Sequence, residues 1–162
     1  MYWLIGLSMA VGGLATVEDL RSRTISNWLC LAGLVAGLAA HTALAGWSGL
    51  GDSLLGAVIG FAVFLIFYLL GGMGGGDIKL MAAFGAILGK GQIGQAAVLA
   101  AIVGALMALV FVAYKKVRQM AQNNAGGSTG ALRKESIPYA PAISLGVLIS
   151  FLGEEELWTS VC

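Results

Sequence analysis

Between Trp28 and Leu70 the sequence carries a single formally charged residue, Asp52. Nothing else constrains the fold as strongly. Apolar runs of this kind approach or exceed the roughly 17–25 residues that span a bilayer. A backbone in hydrocarbon must satisfy its own N–H and C=O groups, so such runs fold as helices. The rest of the chain agrees, being 59% hydrophobic and 10% charged with mean hydropathy +0.90, where a soluble domain carries about 25% charged residues. The pattern predicts an all-α, polytopic membrane protein with one domain over residues 1–162.

Six spans fit the hydropathy, at approximately 2–17, 28–46, 53–70, 78–89, 94–114 and 137–153. The fourth is short, so it must be tilted, extended by adjoining turns or buried among its neighbours. Met1–Val17 lack a basic leading stretch, and no A-x-A-like site precedes Glu18, which predicts a retained first span. Arg21, Arg23, Lys79, Lys115, Lys116, Arg118, Arg133 and Lys134 fall on one side of the membrane, and only Lys90 on the other. The positive-inside rule makes the first side cytoplasmic and places both termini outside, with Glu154, Glu155 and Glu156. Residues 115–136 form a cytoplasmic loop in this reading, a basic anchor on anionic lipid that could begin as helix. A net charge of +1 argues against a nucleic-acid partner.

Glycine pairs four apart, Gly33/Gly37, Gly56/Gly60 and Gly85/Gly89, let helix backbones approach closely, which reads as packing within the bundle. Cys30 and Cys162 form no CxxC pair, and Cys30 reads as a packing residue. His41, the one histidine, has no cysteine or second histidine to join it as a ligand and reads as interfacial. No metal or cofactor is expected.

Three aspartates lie beside span ends. Asp52, in Gly51-Asp-Ser, reads as an N-cap for span three. Asp77 could cap span four in the same way, and Asp19 could be solvated after span one. Topology adds another possibility. Asp19 closes span one and Asp77 opens span four at the same face, while Asp52 is on the opposite face, about a bilayer thickness (~30 Å) away. Two carboxylates sharing a site can divide the work of peptide hydrolysis: one, ionised, takes a proton from water, and the other, protonated, hydrogen-bonds the scissile carbonyl. Gly74-Gly-Gly-Asp77 would then be an unwound strip that lets an extended substrate approach.

At these residues the chain resembles the type IV prepilin peptidase family of GxGD aspartic proteases. Asp19-Leu-Arg-Ser-Arg-Thr-Ile-Ser-Asn27 is similar to the family's first-aspartate segment, D-x-R-x-x-x-I-P-N. Gly74-Gly-Gly-Asp-Ile-Lys-Leu80 matches GxGD-x-K-L, and Ile137-Pro-Tyr-Ala-Pro141 is similar to the motif opening the last helix. Ser26 departs from the pattern, where the family often has proline. The resemblance implies a GxGD-type bundle of six helices, catalysis by Asp19 and Asp77, and supporting roles for Gly74, Gly75, Gly76, Lys79, Arg21 and Asn27. It implies a prepilin or pseudopilin substrate with a basic leader and a hydrophobic helix, cleaved at the cytoplasmic face of the bacterial inner membrane. Larger members carry a cytoplasmic insertion with paired cysteines and methylate the new amino terminus; about ten residues separate spans one and two here, which leaves methyl transfer without a matching segment. The compact form is similar to the peptidases of tight-adherence (Flp) pilus systems. The competing reading is a small transporter or a structural subunit of a secretion machine, which would predict polar residues deep in the spans.

Overall fold

A computed structural model describes residues 2–69, 73–124 and 139–159 of the chain. The described regular structure is helical: α1 (Tyr2–Ser22), α2 (Asn27–Leu69), α3 (Gly75–Asn124) and α4 (Ala140–Thr159). The helices Trp3–Ser22, Asn27–Leu69 and Gly75–Met107 are long and apolar enough to cross a membrane.

The six expected runs become four helices, because two of the expected loops are bends. Runs two and three join in α2, and runs four and five join in α3. Each join has one non-helical residue, Gly46 (φ 59°, ψ −137°) and Gly89 (φ 74°, ψ 175°). Both lie in the positive-φ region, where glycine carries no Cβ penalty. Hydropathy marks where a run stops being apolar, not where its helix stops. So α1 continues past Val17 to Ser22, taking Asp19 into the helix, and α3 continues through the start of the expected 115–136 loop as far as Asn124. The loop's remainder, with Arg133 and Lys134, lies outside the described residues, as do Ile137, Pro138 and Cys162.

The short fourth run sits at the centre. Ile78, Leu80, Met81, Ala83, Phe84, Ala86, Ile87 and Leu88 are all buried. The two halves of α2 flank it, and their glycines set the approach. A Cβ on Gly37 would meet the backbone of Ala86 and Ile87, one on Gly56 the carbonyl oxygen of Gly85, and one on Gly60 the carbonyl oxygen of Met81. The glycine pairs therefore serve packing inside the chain. On the other side, a Cβ on Gly146 of α4 would meet the backbone of Ala100 in α3, and one on Gly12 of α1 would lie 2.9 Å from Ser144 Oγ of α4. Cys30 is buried, as expected.

At the bend in α3 the helical ladder is interrupted, and side chains from α2 satisfy the carbonyls there. His41 Nε2 lies 2.9 Å from the Ile87 carbonyl oxygen, and Ser53 Oγ donates to that of Ala86 at 2.6 Å. The Trp3 ring meets His41 edge-on at 5.8 Å, which brings the start of α1 to this end. Asp52 does not cap a helix: it lies within α2, six residues past Gly46, and pairs with Lys90 at 2.9 Å. An N-cap needs a helix to begin at that point, and here the helix is already running.

Candidate active site

The opposite end of the bundle gathers the ends of α1, α2, α3 and α4. Helix α1 ends in a left-handed residue, Arg23 (φ 54°), whose N–H donates to the Asp19 carbonyl oxygen at 2.8 Å. That closure turns the chain sharply into α2. Ser26 takes the N-cap position of α2, its carbonyl accepting from the Cys30 N–H at 3.3 Å. Its own N–H donates to Glu18 Oε2 at 2.9 Å. Proline at this position would have no N–H to give, so the departure at Ser26 comes with a partner of its own, Glu18.

Helix α3 begins one residue after Gly74, whose carbonyl accepts from the Asp77 N–H at 3.2 Å. Asp77 is the third helical residue, and its Oδ2 reaches back to accept the Gly74 N–H at 3.1 Å. This is the return half of a capping box. Asp77 thus does cap its own helix, and at the same time its carboxylate is fixed at the positive end of the α3 dipole. The expected unwound strip is shorter than the motif, because Gly75 and Gly76 are already helical. Once Gly74 and Asp77 close the first turn, the two residues between them follow.

Asp19 is held differently. Its Oδ2 accepts the Ala140 N–H, the first of α4, at 3.0 Å and across 121 residues of sequence. In α4 the Ile143 N–H donates to the Tyr139 carbonyl at 3.1 Å, making Tyr139 the N-cap. Pro141 has no N–H, so Ala140 is one of few donors at this terminus. The two carboxylates come from different helices and each lies at the N-terminus of one. They are 6% and 7% exposed, and both lie at the end of the bundle where Lys79 meets Asn27 and Gly76 meets Ile25. Burying a carboxylate without hydrogen bonds is costly, and each here has one backbone donor. Among the described residues no other hydrogen bond reaches either side chain.

The other motif residues sort by contact. Lys79 Nζ donates to Asn27 Oδ1 at 2.8 Å, joining the two motif segments. Arg21 is exposed and forms no ion pair among the described residues. A Cβ on Gly74 would lie 3.3 Å from Asp77 Oδ2, one on Gly75 would meet nothing within 4 Å, and one on Gly76 would lie 3.3 Å from Ile25 Cβ. Sequence reasoning missed the part of Glu18, and it quoted the Ile137–Pro141 motif without reading its contact with Asp19. Glu18 adjoins a motif residue and could have been flagged; the Asp19–Ala140 bond, joining residues so far apart, had no local signal.

The spacing at Gly76 gives a test. Gly76→Val should push Ile25 outward, tilt the turn that carries Asp77 and remove most activity, while the melting temperature in detergent changes little. Gly75→Ala, into open space, should be near wild type. Equal activities for the two would show that clearance at Gly76 does not matter.

A family model described as the type IV leader peptidase family matches residues 6–111. The chain belongs to that family. The match includes Asp19 and Asp77 and ends before α4. Among curated proteins the chain is similar to a prepilin leader peptidase/N-methyltransferase of Bacillus subtilis (strain 168), with 34% identity over 102 residues, 61% of this chain and 35% of that protein. It is also similar to one of the same name from Aeromonas hydrophila, with 31% identity over 149 residues, 88% of this chain and 46% of that protein. The chain spans less than half the length of these relatives. No solved structure matches it. Family membership and the long apolar helices together describe a multi-pass membrane protein.

Proposed function

We propose that this member of the type IV leader peptidase family is an aspartic endopeptidase. Its substrates are prepilins or pseudopilins, of the Flp kind by resemblance, cut between a basic leader and a hydrophobic helix at the cytoplasmic face. One observation carries the reading: Asp19 and Asp77, 58 positions apart in sequence, are each buried at the same end of the bundle, where the start of α3 meets the turn between α1 and α2. The described basic residues support the orientation. Arg21, Arg23 and Lys79 lie at the carboxylate end and Lys90 at the other, which supports a cytoplasmic carboxylate end by the positive-inside rule.

The chemistry follows from the pair. Like charges in one site leave one carboxylate ionised and the other protonated. The ionised group takes a proton from water as the oxygen attacks the scissile carbonyl carbon. The protonated group donates to the carbonyl oxygen. When the tetrahedral intermediate collapses, the C–N bond breaks and a proton passes to the leaving amine, so one water is consumed and the pair is restored. The backbone donors from Gly74 and Ala140 each hold one Oδ2 still, which leaves the second oxygen of each carboxylate for this work.

Co-expression with prepilins, followed by mass measurement of their amino termini, tests the proposal. Removal of the leader is expected, and intact prepilins with correctly folded protein would overturn it. Methyl transfer appears in the relatives' name and is not part of this proposal; only residues 23–26 separate α1 from α2. Cleavage should be unchanged by EDTA, because among the described residues no group of three His, Cys, Asp or Glu gathers to hold an ion. Activity lost to the chelator and restored by zinc would count against the two-aspartate account.

A further inference from the structure

The first turns of α3 carry different chemistry on their two sides. Asp77 and Lys79 are two residues apart, about 200° around a helix of 3.6 residues per turn. By that angle Asp77 faces away from Lys79, and its carboxylate turns back to the Gly74 N–H. Lys79 reaches the other way, to Asn27 at the start of α2. Beside Lys79 an open cleft of about 330 Å³ lies between the two halves of α2. Leu31 and Leu34 wall it on one side and Phe61 on the other, with Ala82 of α3 also lining it. Leu31 and Phe61 are 48% and 43% exposed, so the cleft opens outward from the bundle. Asn27 and Lys79 are its polar lining. Lys79 has a neutral partner, and among the described residues no carboxylate pairs with it.

An apolar cleft opening into hydrocarbon is filled by hydrocarbon, since water there would forfeit its hydrogen bonds. We infer that this cleft binds one anionic phospholipid, with an acyl chain along Leu31, Leu34 and Phe61 and the headgroup phosphate on Lys79. Charge complementarity selects the occupant: an apolar slot ending in one ammonium with no ion-pair partner among the described residues suits a chain ending in a phosphate. A substrate helix fits less well. It is about 10–12 Å across, and the slot lies on the far side of α3 from the carboxylates. The bound phosphate would hold Lys79 and, through it, the turn that carries Asp77. The inference does not depend on the peptidase reading.

The test uses the full-length protein in phosphatidylcholine vesicles containing a trace of phosphatidylglycerol with a diazirine on its acyl chain. Irradiation followed by peptide mass mapping should place the label on the segments bearing Leu31, Leu34 and Phe61. Lys79→Gln should lower that labelling about fivefold at limiting probe, the equivalent of one basic residue near an anionic lipid. Ala82→Phe, which fills the cleft, should remove it; Leu34→Trp does the same from the wall and serves if Ala82→Phe does not fold. A diazirine phosphatidylcholine should label the same segments more weakly. Even labelling of all lipid-facing helices, or labelling indifferent to these substitutions, would overturn the inference. So would loss of the label on adding a prepilin whose apolar helix then crosslinks at Phe61, which would assign the cleft to substrate.

Discussion

Asp77→Asn should abolish prepilin cleavage, while Asp52→Asn should leave it nearly intact. Both aspartates follow a glycine near the start of an apolar run, so as mere helix-end residues they should respond alike. The structure separates them. Asp77 is buried at the same end of the bundle as Asp19, whereas Asp52 is partly exposed and paired with Lys90. The Asp52 pair is at the bend end, with Lys90 thirteen residues along α3 from Asp77, about 20 Å of helix rise. Losing an exposed ion pair costs about 0–1 kcal/mol. At Asp77 the asparagine side-chain oxygen can still accept the Gly74 N–H, and asparagine caps about as well as aspartate, so the fold should survive. An amide cannot take a proton from water or share one with Asp19, and losing general acid–base catalysis lowers the rate about 10²–10⁴-fold. Asp19→Asn should lose activity to a similar extent. Cleavage assayed at matched expression, with thermal stability alongside, decides the matter. Equal effects of the Asp52 and Asp77 variants would overturn the site assignment.

Gly56→Leu should prevent folding or destabilise the protein by about 3 kcal/mol or more, the upper range for overpacking. A Cβ at this position runs into the Gly85 carbonyl oxygen and, at 2.7–2.9 Å, the Gly89 backbone. Backbone cannot rotate away as a side chain can, so the second half of α2 would have to separate from α3. The nearby His41 and Ser53 bonds to α3 would be strained with it. Gly94→Ala is the control. A Cβ there meets nothing within 4 Å, and removing a helical glycine should stabilise by about 0.5–1 kcal/mol. Thermal unfolding in detergent and the folded yield of both variants are the measurements. If Gly56→Leu melted like wild type, α2 and α3 could not be in the contact described.

The sequence by itself determined the class of fold and the family. Long apolar runs leave a backbone no choice but helix, and the segments around Asp19 and Asp77 lie within the region that the family model matches. The glycine pairs also announced close packing, because removing a Cβ has one main use on a helix face. Tertiary structure decided what depends on partners. Whether Gly46 and Gly89 would bend a helix or end it turned on the surrounding contacts, since glycine permits either. Asp52 read as an N-cap because Gly51-Asp-Ser precedes an apolar run, yet Lys90, far along the chain, supplies its partner. Asp77 read as a cap or as a working carboxylate, and the structure gives it the cap while burying it at the same end of the bundle as Asp19. The donor to Asp19 was beyond local reading altogether: it is a backbone N–H, which every residue but proline carries, and only the packing of α4 against α1 brings that of Ala140 to the carboxylate.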